Sequence, residues 1–105
     1  MFAKVYHFDF ADLADAKAAA AQLSREMSSA ISEFDLAGIS VFLNKTGQLT
    51  ANIKFDELDL VKEFEQSKSA LIDDIARKYN CDATVSTALS LFAYEREAVS
   101  TDIGV

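Results

Sequence analysis

Few residues in this chain have the type and spacing to do chemistry. His7 is the only histidine, and Asp9 follows two positions later in a stretch rich in aromatic and β-branched residues: Phe2, Val5, Tyr6, Phe8 and Phe10. In an extended strand these two side chains share a face. An imidazole oriented by a carboxylate can act as a general base near neutral pH. Same-face neighbours lie about 6.5–7 Å apart, however, which is long for a direct hydrogen bond. A histidine satisfied by a neighbouring strand or a dimer partner is the plainer reading. Asn52 and Lys54 stand on a later strand that should pair with the first. Joined to His7, they would form a polar cluster for an anionic or carbonyl-bearing ligand. A solvated strand lysine is the commoner outcome.

Other candidates are weaker. Cys81 precedes Asp82 at the end of a helical pattern, with no second histidine and no oriented base nearby, so a half-buried thiol is expected rather than a nucleophile. No HxH, CxxC or HExxH spacing occurs, so no metal is expected. The three glycines, Gly38, Gly47 and Gly104, make no phosphate loop, and no cofactor is expected. The acidic groups Asp73-Asp74 and Glu63–Glu65 read as solvated helix faces. With 17 acidic and 10 basic residues the net charge is -7, which works against nucleic acid and anionic membrane as partners. An RNA-binding plait would need basic and aromatic residues on its central strands.

A single cysteine permits no internal disulfide and fits a reducing compartment. The N-terminus carries Lys4 but also Asp9, Asp12 and Asp15, without the apolar run of a signal peptide. No stretch of 18 apolar residues is present for a membrane span. A cytoplasmic location is expected, and 105 residues fit one domain with a modest core.

The elements that must position these side chains are legible in the periodicity. Residues 2 to 10 read as a strand. Leu13, Ala16, Ala20, Leu23, Met27, Ile31 and Phe34 recur at helical spacing, predicting an amphipathic helix over about 11–34, capped by Asp9 or Asp12. Ile39, Val41 and Leu43, then Leu49, Ala51, Ile53 and Phe55, alternate on either side of the turn 44–48, where Gly47 takes a left-handed conformation. Asp56 is expected to cap a second helix over about 57–79, and Asn80 to end it. A last strand is expected over about 83–94, and residues from about 95 to 105 as an arm or disordered tail. The order β-α-β-β-α-β predicts a ferredoxin-like plait, an α+β fold with a four-stranded antiparallel sheet and both helices on one face.

One sheet face then lacks helices. By strand parity it carries Val5, His7, Asp9, Ser40, Phe42, Asn44, Thr50, Asn52, Lys54, Ser86, Ala88, Ser90, Phe92 and Tyr94. Three aromatics among small hydroxyls fit a surface buried partly by another subunit and partly around a cavity. The element order, the Leu36-Ala37-Gly38 entry to the second strand, and the run Asn52-Ile53-Lys54-Phe55-Asp56-Glu57-Leu58 into a helix resemble the dimeric α+β barrel superfamily. That superfamily includes cofactor-independent monooxygenases of antibiotic biosynthesis. The resemblance implies a homodimer closed face to face around a cavity. It implies no catalytic residue here, since no matching motif is present. The expectation is therefore a homodimeric barrel that binds a small apolar or aromatic molecule, with His7, Asn52, Lys54, Phe42, Phe92 and Tyr94 as ligand-binding candidates. The alternatives are a monooxygenase-like enzyme and a plain dimerisation module.

Overall fold

The computed structural model describes residues 1–96. Its elements are β1 (Phe2–Asp9), α1 (Leu13–Glu33), β2 (Gly38–Leu43), β3 (Gln48–Phe55), α2 (Leu58–Lys78) and β4 (Asp82–Leu89). All pairings are antiparallel, in the order β2-β3-β1-β4. This is the ferredoxin-like plait, with one core between the helices and one sheet face. The tail expected after residue 96 lies outside the described residues.

Alternation decides which side chains meet. Along β3, Leu49, Ala51, Ile53 and Phe55 are fully buried, while Thr50, Asn52 and Lys54 remain partly accessible. The register sets Phe8, Tyr6, Lys4 and Phe2 of β1 opposite that buried row. On β2 the matching residues are Leu43, Val41 and Ile39. In the 44–48 turn the Asn44 side chain accepts from the Thr46 and Gln48 backbone N–H groups at 3.1 and 3.0 Å. Gly47 has φ +88, and a Cβ there would stand 2.9 Å from the Phe10 carbonyl oxygen, so this position requires glycine.

Asp12 caps α1 by accepting from Ala14 N–H at 2.8 Å. The buried stripe of α1 is Ala16, Ala19, Ala20, Leu23, Met27 and Ala30, so alanines replace the expected Leu13 and Ile31, both of which are exposed. Small side chains let the helix lie close to the sheet, and the larger residues at its ends overhang the core. Both helices finish alike. Leu36 N–H donates to Ile31 C=O and Cys81 N–H to Ala76 C=O, each at 3.0 Å. Asp35 (φ 51) and Asn80 (φ 47) occupy the intervening left-handed position. This is the Schellman closure, which satisfies carbonyls that the last helical turn leaves free.

Two expectations are corrected. Glu57, not Asp56, occupies the cap position of α2, and no side chain closes it. Pairing of β3 runs through Phe55, so two residues are used in turning the chain before the helix starts. The last strand ends at Leu89 rather than at 94. Leu89 pairs with Phe2, the first residue of β1, so only Met1 C=O remains to accept, from Ser90 N–H at 2.9 Å. Beyond that no backbone is left to pair with, and Phe92 and Tyr94 stand off the sheet, 89% and 76% exposed.

At the centre of the core the Phe64 ring meets Phe34 and Phe55 edge-on, each at 5.4 Å, and is fully buried. Phe64→Ala should lower unfolding free energy by about 3–5 kcal/mol in urea titration. A loss under about 1 kcal/mol would mean that the three rings do not form the packed centre described.

Candidate functional site

The helix-free face is built in cross-strand rows. One row runs Phe42, Thr50, His7, Thr84; the next runs Ser40, Asn52, Val5, Ser86; the third runs Gly38, Lys54, Ala3, Ala88. His7 is exposed, and its Nδ1 lies 3.2 Å from the Thr50 hydroxyl. The ring is therefore oriented by the cross-strand threonine. Asp9 makes no hydrogen bond to it and stands at the sheet end, opposite Asp82. The expected orientation of the imidazole by Asp9 is therefore replaced by one set by Thr50.

Among the six candidates, the register brings His7 and Phe42 into one row with Asn52 in the next. Lys54 is separated from the His7 row by four residues along β3, about 13 Å. Phe92 and Tyr94 belong to the segment after β4. Asn52 carries an unusual feature: its Oδ1 is buried and has no hydrogen-bond partner among the described residues. Such an acceptor is costly unless a donor reaches it. Phe42 is 62% exposed on the same face. Cys81 is half-buried; burial pushes its thiol up, a backbone hydrogen bond offsets part of this, and Asp82 and Asp9 add smaller upward pushes. It is therefore a thiol rather than a ready nucleophile. No group of three metal-ligating side chains occurs among the described residues.

The opposite face holds a polar cluster that strand reading passed over. Lys4 lies in the inward row between Phe2 and Tyr6 and is only 5% exposed. Its ammonium meets Glu65 of α2 and donates to the Thr87 hydroxyl of β4 at 3.0 Å. Tyr6, beside it, has its phenol pushed up to about 12, first by burial and then by the Glu65 carboxylate. The signal was available: parity that puts His7 outward puts Lys4 inward, among aromatic residues.

No family model matches the sequence, and no curated protein sequence matches it. Solved structures do. A provisionally assigned antibiotic biosynthesis monooxygenase from Deinococcus radiodurans superposes with a TM-score of 0.69 at 15% identity, covering 93% of this chain and 100% of that one. Two dimeric ferredoxin-like proteins from an uncultured marine organism give TM-scores of 0.64 and 0.65 at 11% and 12% identity. They cover 90% and 89% of this chain and 98% and 97% of their own. At these identities the likeness establishes the fold alone, the ferredoxin-like plait.

Two outcomes follow for the buried cluster. Glu65→Leu should cost about 1–3 kcal/mol, because it leaves the buried Lys4 ammonium without its counter-charge, whereas Lys4→Met should cost less or stabilise. The reverse order in chemical denaturation would contradict the placement of Lys4. For Tyr6, the folded value lies above the unfolded value near 10, so the folded state holds the proton more tightly. Its stabilisation is complete below pH 10 and is lost as pH rises to about 12. Tyr6→Phe should flatten the alkaline fall in stability and remove the highest-pH part of the phenolate absorbance titration.

Proposed function

We propose that the protein is a cytoplasmic homodimer formed through the helix-free sheet face, and that the two faces enclose a cavity for a small apolar or aromatic molecule. The observation that carries this reading is the character of that face. Phe42 is more than half exposed in the single chain, on a face whose central row also holds an acceptor with no donor. Burial by a second copy removes the ring from water. His7, Thr50 and Phe42 line the cavity in this reading, Lys54 stands at its foot, and Phe92 and Tyr94 close it from the segment after β4. The dimeric ferredoxin-like proteins of the same fold support this assembly. For the location, the support is the lone cysteine, which is free, and no helix among the described residues is long and apolar enough to cross a membrane.

Sedimentation velocity at micromolar concentration should give a dimer. Phe42→Asp should shift it to monomer, because a charge buried without a partner is costly. A monomeric wild type, or a Phe42→Asp variant still dimeric, would remove this face as the interface. His7→Ala should weaken any ligand found by screening while leaving the melting temperature nearly unchanged. A dimer with a filled interior and no ligand from such a screen would mark a plain dimerisation module.

A further inference from the structure

A second concavity lies at the far corner of the molecule, where α1 ends and β2 begins. It has a volume of about 470 Å³, within the range of about 300–1,000 Å³ that small-molecule sites occupy. It is built entirely within one chain, and its existence does not rest on the dimer. Its wall follows from local chain geometry. The Schellman closure returns Leu36 to Ile31 through the 3.0 Å backbone bond, with Asp35 in the left-handed conformation. A hydrophobic contact between residues in these two positions commonly accompanies that motif. Ile39, the next inward position, and Met1 extend the apolar lining.

One cation faces this lining. Lys54 lines the groove and its ammonium makes no hydrogen bond or ion pair among the described residues, although acids outnumber bases in the chain by 17 to 10. Its position is prepared by two features. Ala37 N–H donates to the Lys54 carbonyl at 2.8 Å, anchoring the backbone. Gly38 lies opposite Lys54 in the register, and a Cβ there would touch the lysine stem, 3.4 Å from Cδ and 3.6 Å from Cβ. The glycine thus leaves space over which the aliphatic stem lies, with its charge at the groove. Glu95 also lines the groove without forming an ion pair with Lys54, so a second negative charge on a ligand would meet repulsion.

We propose that this groove binds a small amphipathic monocarboxylate, its head on Lys54 and its apolar body against Ile31, Leu36 and Ile39. A neutral ligand would forgo the charge-assisted hydrogen bond, and a dianion would place its second charge against Glu95 or the apolar wall.

The test uses the full-length protein with three probes of equal chain length: octanoate, 1-octanol and octanedioate. Calorimetry should show octanoate bound at least about tenfold more tightly than either of the others, the difference a charged hydrogen bond commonly makes. Lys54→Met, which keeps the apolar stem, should abolish the preference over octanol, and Lys54→Arg should retain it. Backbone NMR shifts on octanoate addition should concentrate at residues 31, 36–39 and 54. Absence of octanoate binding, equal affinity for octanol, a preference that survives Lys54→Met, or shifts centred on Phe42 and His7 would each overturn the proposal. Gly38, Ser40 and Lys54 also stand on the helix-free face, so the titration is repeated on Phe42→Asp. A preference for octanoate that persists there belongs to the groove of the single chain, and one that vanishes there overturns the proposal. The oligomeric state decides the dimer reading.

Discussion

Strand β1 is hydrogen-bonded along both sides over its whole length, and most of the molecule follows from that constraint. Its eight residues pair one for one with β3 on one side and β4 on the other. Because side chains alternate strictly, a single register sets Lys4, Tyr6 and Phe8 beneath the helices and Val5, His7 and Asp9 on the opposite face. The strand also sets where pairing stops. At Phe2 the ladder with β4 runs out, so the chain after Ser90 must leave the sheet, taking Leu91, Phe92 and Tyr94 into solvent.

The two sheet faces have opposite physical problems. On the helix side the difficulty is a charge in a dry place, solved by bringing Glu65 from α2 and Thr87 from β4 to one ammonium. Burying the ammonium sacrifices its hydration, and the compensation is attraction to the partly exposed Glu65 carboxylate and a hydrogen bond to Thr87. On the other side the difficulty is exposed apolar surface such as Phe42 and, beneath it, a buried amide oxygen of Asn52 with no hydrogen-bond partner among the described residues. The edges add to this. β2 and β4 expose free backbone groups, and neither carries a lysine, an arginine or a proline to discourage further pairing. Val85 and Leu89 point towards the helix side of β4, yet each stays more than half exposed. Apolar surface and open edges of this kind are what the proposed second copy would cover.

The corner groove shows how a local backbone device can become a site. Asp35 accepts a left-handed conformation so that the carbonyls ending α1 are satisfied, and the same closure sets Leu36 beside Ile31. The strand that follows starts with a glycine opposite a lysine. Helix termination, strand entry and a positioned charge therefore come from eight consecutive residues and one cross-strand partner. Lys54 lies about 13 Å along β3 from the His7 row, while Ser40 brings the rim of the groove to within one row of it.

What the sequence determined by itself is what depends on short-range pattern. Alternation over 49–56 and helical spacing over about 11–34 and 57–79 specify element type, order and inward face, because period 2 and period 3.6 each leave one face to bury. The left-handed positions of Gly47 and Asn80 were legible for the same local reason. Tertiary structure decided what depends on partners distant in the chain. The outward side of His7 followed from alternation, but its hydrogen bond to Thr50 rather than Asp9 required the β1–β3 register. The end of β4 required knowing where β1 begins. Lys4 was readable as inward, yet only the packing of α2 supplies Glu65, 61 residues away. Lys54 could be placed on a face from its neighbours. Its separation from His7, and the groove it enters instead, exist only because strand pairing and the end of α1 bring remote segments together.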